Sequence, residues 1–184
     1  MAHLTGNFII TGTAGTGKTS LIDLLRQRGY VAFDEAQRAI LTEQTAVDGP
    51  ALPAKHPELF IEATLNHCIA CLNEASATLS FFDRGIPDVA AYARRFGVDP
   101  SRCFAVSELQ QYNKSAFLLP PWPEIFETDP MRGKSFAEYQ DFHALIVACY
   151  QQAGFALIEV PRCSLEDRAE FILERISALG VGSE

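Results

Sequence analysis

The sequence predicts an α/β fold: one domain, a three-layer α/β/α sandwich around a five-stranded parallel sheet. Three observations predict it. Five short apolar runs alternate with longer segments of helical period. A glycine-rich loop joins the first apolar run to the first helical segment. The chain has 184 residues, 48% of them hydrophobic and 21% charged, which suits one globular domain with a sizeable core.

Each element has its own signal. Asn7–Thr11 is an apolar run that reads as a buried strand. Lys18–Arg28 places Leu21, Ile22, Leu24 and Leu25 on one helical face, and Gly29 stops it. Tyr30–Phe33 is a second strand, and Glu35–Thr45 a helix with Ala36, Ala39 and Ile40 turned inward. The residues from 49 to 57 hold three prolines and a glycine, so they form a loop. Pro57 then starts a helix to about Ala77, with Leu59, Phe60, Ala63, Leu65, Ile69 and Leu72 as its core side.

Leu79–Phe82 is the third strand, closed by Asp83-Arg84-Gly85. Helical pattern returns over Pro87–Arg95 and Ser101–Tyr112, and Ala116–Leu119 is the fourth strand. The segment 120–134 is irregular, with four prolines, Trp122 and mixed charge. Ser135 and Glu138 form a capping-box pattern that opens a helix to about Gln152. Phe155–Val160 is the fifth strand, and a second capping-box pattern, Ser164 to Asp167, opens the last helix. Sheets of this kind bind ligands beyond the carboxyl ends of their strands.

Charge and cysteine usage narrow the function classes. Lys and Arg total 15 against 23 Asp and Glu, a net charge of −8, which disfavours nucleic-acid binding. There is no apolar run of bilayer length, and the first residues lack the pattern of a secretory signal. Five scattered cysteines then suggest a reduced, cytoplasmic setting.

The strongest motif is Gly12-Thr13-Ala14-Gly15-Thr16-Gly17-Lys18-Thr19, a full phosphate-loop pattern between a strand and a helix. Glycines let the loop turn its N–H groups inward around a phosphate, and the helix start adds positive partial charge. Lys18 is expected to reach the β- and γ-phosphates, and the Thr19 hydroxyl to hold Mg²⁺. The nucleotide site is expected to run from Gly12 through Ser20, with ATP and Mg²⁺ as cofactors.

Two further motifs stand at strand ends. Asp83 is placed to hold Mg²⁺ or to act as general base, and Arg84 to grip a phosphate or carboxylate. Glu35 and Arg38 share one helix face after the second strand and are expected to pair. Either Glu35 or Asp83 serves as the base, while Glu35, Arg38 and Arg84 face the acceptor.

On the loop Gly12–Thr19, the Glu35-x-x-Arg38 element and Asp83-Arg84-Gly85, nearly the whole chain resembles a family of small phosphate-loop kinases and predicted AAA-type ATPases. That family is the nicotinamide-riboside-kinase-like group, and the deoxynucleoside and thymidylate kinases are more distantly similar. The resemblance implies the P-loop NTPase fold of nucleoside and nucleotide kinases. It implies a lid at about 120–134 from which Arg132, with Lys134, closes on the phosphates. It also implies an adenine position along the segment 160–164.

Other patterns carry less. His67, Cys68 and Cys71 lack a second Cys/His pair at zinc spacing and read as helix core. Asn113-Lys114 lacks the aspartate of a guanine-reading element and precedes a strand instead of following one. The expected function is transfer of the ATP γ-phosphoryl group to a hydroxyl of a small metabolite, with a nucleoside-like acceptor preferred. The alternatives are an ATPase or nucleotide-dependent switch acting on a protein partner, and a binding protein with residual hydrolysis. No nucleic-acid or membrane partner is expected.

Overall fold

The computed structural model describes residues 6–75, 79–125 and 136–181. The expected lid residues Glu127, Asp129, Arg132 and Lys134, and the capping residue Ser135, lie outside this set. Five strands form one parallel sheet in the order β2-β3-β1-β4-β5. They are β1 (Asn7–Gly12), β2 (Val31–Phe33), β3 (Ser80–Asp83), β4 (Ser115–Leu119) and β5 (Ala156–Glu159). The helices are α1 (Lys18–Gln27), α2 (Ala36–Ala46), α3 (Pro57–Glu74), α4 (Ile86–Arg95), α5 (Ser101–Leu109), α6 (Phe136–Gln152) and α7 (Leu165–Ala178).

The central strands are apolar on both faces because helices cover both. Phe8, Ile10, Phe81 and Phe117 pack against α1 and α7, with Leu21, Leu25 and Ile172. The alternate residues Ile9, Phe82 and Ala116 pack on the other face against α2 to α6, with Ile40, Phe60, Val89, Phe142 and Ile146. Burying one such apolar side chain contributes about 1.5–3 kcal/mol. The chain leaves β1 toward one edge of the sheet and β3 toward the other. A crevice therefore opens beyond the carboxyl ends of these two neighbours.

Three sequence expectations shift. The helix α5 ends at Leu109 and not at Tyr112. Asn113 N–H donates to the Asn7 carbonyl at 2.8 Å and the Asn7 side chain donates to the Gln111 carbonyl at 3.1 Å. Those bonds draw the segment alongside β1 and bury Tyr112 in the core. Leu59 is 42% exposed, because the buried stripe of α3 runs through Phe60, Ile61, Thr64, Leu65, Cys68 and Leu72. At α7 the Ser164 hydroxyl accepts from Asp167 N–H at 3.1 Å, while the Asp167 carboxylate accepts from that hydroxyl and not from the Ser164 backbone. Among the described residues, no helix is long and apolar enough to cross a membrane.

Candidate active site

The phosphate loop begins where β1 ends and stops where α1 begins. Gly12, Gly15 and Gly17 hold φ values of 142°, 77° and 80°, a region that L side chains avoid. At Gly12 a Cβ would lie 2.4 Å from the Leu119 carbonyl oxygen, so β1 and β4 close on each other only through glycine. The Thr16 hydroxyl donates to the Thr13 carbonyl at 2.9 Å and ties the loop across its own base. Among the described residues no side chain caps α1, and its first turn holds no acid. Its N–H groups and positive dipole end are thus turned to the loop.

Lys18 is 6% exposed, and its Nζ donates to the Thr13 carbonyl at 3.0 Å. Burial lowers its pKa to about 8, helped by the neighbouring Arg84 charge and opposed by Asp83 and Glu35. Thr19 and Ser20 are exposed at the start of α1. Arg168, from the first turn of α7, donates Nη1 to the Thr16 carbonyl at 3.1 Å. Its guanidinium lies 5.5 Å from the Trp122 ring centre. Trp122 thus stacks a cation beside the phosphate loop.

Asp83 closes β3, is 6% exposed, and its Oδ1 has no hydrogen-bond partner among the described residues. Burial raises its pKa, against the lowering pull of Lys18 and Arg84. Asp83 and Thr19 line one hollow of about 540 Å³ together with Asp34, Glu35, Arg38 and Glu43. A hard cation such as Mg²⁺ takes few protein ligands and keeps water and phosphate oxygens. One hydroxyl and one carboxylate with an unpartnered oxygen among the described residues fit that demand. No cluster of three or more metal-binding side chains occurs among the described residues.

Arg84 is the centre of a buried charge network. Its backbone takes φ 69°, unusual for a non-glycine residue, and its N–H donates to the Ile10 carbonyl at 3.0 Å. Its Nε lies 3.1 Å from Glu35 Oε1, and its Nη1 donates to Asp88 Oδ1 at 3.2 Å. Burial works against the charge, but Tyr92, Glu35, Asp88 and Asp83 outweigh it and hold the Arg84 pKa well above its ordinary value. Asp88 is fully buried and also accepts from the Thr11 hydroxyl at 2.6 Å, from Gly85 N–H at 2.9 Å, and from the Tyr150 hydroxyl. Glu35 stands as the N-cap position of α2, and Arg38 lies 4.0 Å from it, a looser contact than the one with Arg84.

Lys18, Thr19, Ser20, Glu35, Arg38 and Arg84 line a single cavity of about 640 Å³ with Ala14, Gly15 and Gly17. Its far side is aromatic: Phe60, Tyr92, Phe96, Tyr139 and Phe142, with Leu41 and Pro53. The Tyr92 and Phe142 ring centres are 4.8 Å apart, and the Arg95 guanidinium lies 4.7 Å from the Phe142 ring. Most sequence-expected residues therefore surround one space. Arg132 lies outside the described residues. Sequence reasoning did not single out Asp88, Arg168, Gln37 or the aromatic wall. Asp88 had a usable signal, an acid at the third position of a helix that opens after Gly85. The wall had none, since it gathers residues from three separate helices: Phe60 of α3, Tyr92 and Phe96 on and at the end of α4, and Tyr139 and Phe142 of α6.

Solved structures share this fold at low identity. The NadR protein in complex with NR superposes with a TM-score of 0.69 at 16% identity over 99% of this chain and 54% of NadR. This chain thus spans about half of that protein's length. Deoxyadenosine kinase from M. mycoides gives a TM-score of 0.64 at 15% identity, covering 94% of this chain and 99% of the kinase. Thymidylate kinase from Candida albicans gives 0.62 at 13%, covering 96% and 92%. No curated protein matches the sequence. A family model described as an AAA domain matches residues 7–168, and the chain belongs to that family.

Proposed function

We propose that the protein is an ATP-dependent phosphotransferase that moves the γ-phosphoryl group to a hydroxyl of a small, nucleoside-like metabolite. One observation carries this reading. The cavity that begins at the phosphate loop continues past Glu35 and Arg84 into an aromatic pocket. ATP needs only the first part, and the second offers an acceptor a place beside the γ-phosphate. The solved structures with this fold include two named kinases of nucleoside or nucleotide type, which agrees with the reading.

The residues then take these roles. The loop from Gly12 to Ser20 binds the triphosphate, and Lys18 places its charge on the transferring group. Thr19 and Asp83 would hold Mg²⁺, which when bound neutralises charge on the phosphate oxygens. Glu35 lines both the aromatic cavity and the hollow, whereas Asp83 lines only the hollow. Glu35 is therefore the better-placed base for the acceptor hydroxyl. The acceptor oxygen bonds to the γ-phosphorus, the bond from that phosphorus to the β–γ bridging oxygen breaks, and the hydroxyl proton passes to Glu35. Arg84 holds Glu35 in place, and Arg38 and Arg132 add positive charge.

The match to an AAA domain favours a second reading, an ATPase that acts as a switch on a partner. Acceptor dependence separates the two. ADP release is measured with and without a small-molecule metabolite extract, using wild type and Lys18→Ala. A kinase releases ADP faster with the extract and loses several orders of magnitude in Lys18→Ala. ADP release that ignores the extract favours the switch.

A further inference from the structure

Gln37 sits in the first turn of α2, between the two charged residues Glu35 and Arg38. It lines the cavity and is 2% exposed, and neither its Oε1 nor its Nε2 has a hydrogen-bond partner among the described residues. Buried polar side chains are nearly always bonded, because an orphaned donor or acceptor carries its full desolvation cost. An amide kept for local architecture would be tied to backbone or to a neighbour. Lys18 and Arg84, which line the same cavity, already have protein partners. Among the described residues the Gln37 carboxamide has none, and so is left for whatever enters.

A carboxamide presents one donor and one acceptor side by side in one plane. Its complement is a planar edge that also carries an adjacent donor and acceptor. The cavity around it suits such a group: Tyr92 and Phe96 are stacked with ring centres 5.9 Å apart, and Phe142 leans on Tyr92. Aromatic walls take up flat faces, and one polar group among them fixes orientation. A polyol or an open-chain sugar offers neither a face nor an amide-like edge.

We infer that Gln37 reads the polar edge of a planar nitrogen ring on the acceptor, as in a nucleobase or a ring carboxamide, while the acceptor hydroxyl faces Glu35. This rests on the phosphotransferase reading of the same site. It makes Gln37 the residue that sets acceptor specificity.

The test uses the full chain with Mg-ATP and six probes: adenosine, cytidine, uridine, guanosine, the riboside of nicotinamide, and ribose without a ring base. Phosphorylation and probe binding are measured for wild type, Gln37→Leu and Gln37→Met. The Met variant keeps the side-chain length if Leu disturbs the fold. One or more ring-bearing probes should be phosphorylated, with KM raised about tenfold or more in the variants and ATP affinity retained. A nucleobase or the ring carboxamide as the active probe would separate the two sources of that edge. Equal KM in wild type and both variants would overturn the role of Gln37 and leave the kinase standing. Ribose as the preferred acceptor would also overturn it, again with the kinase intact. ATP turnover with no phosphorylated probe and no probe binding would overturn this inference. If wild type also failed to phosphorylate any component of a whole metabolite extract, the kinase reading would fall with it.

Discussion

Glu35 and Arg84 meet at 3.1 Å and join the end of β2 to the end of β3. The contact fixes a carboxylate and a guanidinium at the mouth of the crevice, between the phosphate loop and the aromatic pocket. Arginine suits this place because its planar fork serves Glu35 and Asp88 at once. A lysine offers a single charged point and cannot reach both. The variant Arg84→Lys is therefore expected to fold and bind ATP while kcat falls by roughly 10²-fold. Steady-state kinetics at saturating ATP check this, and an unchanged kcat would remove Arg84 from the active arrangement.

Asp88 is the buried anchor beneath that pair. Removing its carboxylate leaves the buried Arg84 charge with Glu35 alone and strands the Thr11 and Tyr150 hydroxyls and the Gly85 N–H. The variant Asp88→Ala should lose about 3–5 kcal/mol of stability. Asp88→Asn keeps the shape and one acceptor, and should lose less. Urea unfolding of the two variants gives the comparison.

Two loop glycines should fail in different ways. At Gly12 an added Cβ meets the Leu119 carbonyl, which belongs to the sheet and cannot move aside. Gly12→Ala is expected to cost roughly 2–4 kcal/mol of stability. At Gly17 the Cβ would lie 2.9 Å from Arg168 Nη1, the end of a flexible side chain, although φ is 80°. Gly17→Ala should keep more of the fold and lose ATP affinity, because the loop and Arg168 both shift. Thermal unfolding with and without ATP distinguishes these outcomes.

Lys18 carries its charge in a buried place. Its folded pKa is about 8 against 10.5 for the free side chain. Across that window the unfolded chain holds more protons on this group, so the ligand-free protein gains stability as pH rises. Below about pH 8 the buried charge is a full penalty. Lys18→Met should therefore raise the ligand-free Tm at pH 7 by about 2–4 °C, with the difference shrinking toward pH 10. The same variant should lose the Tm increase that ATP gives to wild type. Paired melting curves at pH 7 and pH 10 test both parts.

The sheet and the phosphate loop were legible because their signals are local. Short apolar runs specify doubly covered strands, and the spacing from Gly12 to Thr19 specifies its own backbone shape. The strand-end acids Glu35 and Asp83 were legible for a related reason, since parallel topology sends every strand end to one edge. The partner of Arg84 was not: the three-residue spacing pointed to Glu35 with Arg38, while the fold turns Arg84 onto Glu35. Nor was the aromatic pocket, whose Phe60, Tyr92 and Phe142 come from separate helices and read locally as core. The end of α5 was misplaced because bonds from Asn7 and Asn113, not local propensity, decide where it stops.

The most direct measurement is mass spectrometry of a metabolite extract incubated with Mg-ATP and the protein, with Lys18→Ala as control. The account predicts a species that gains one phosphoryl group only with the wild-type protein, together with one ADP for each product formed. ADP accumulating with no new phosphorylated species would contradict it, and would assign the chain to nucleotide hydrolysis without an acceptor.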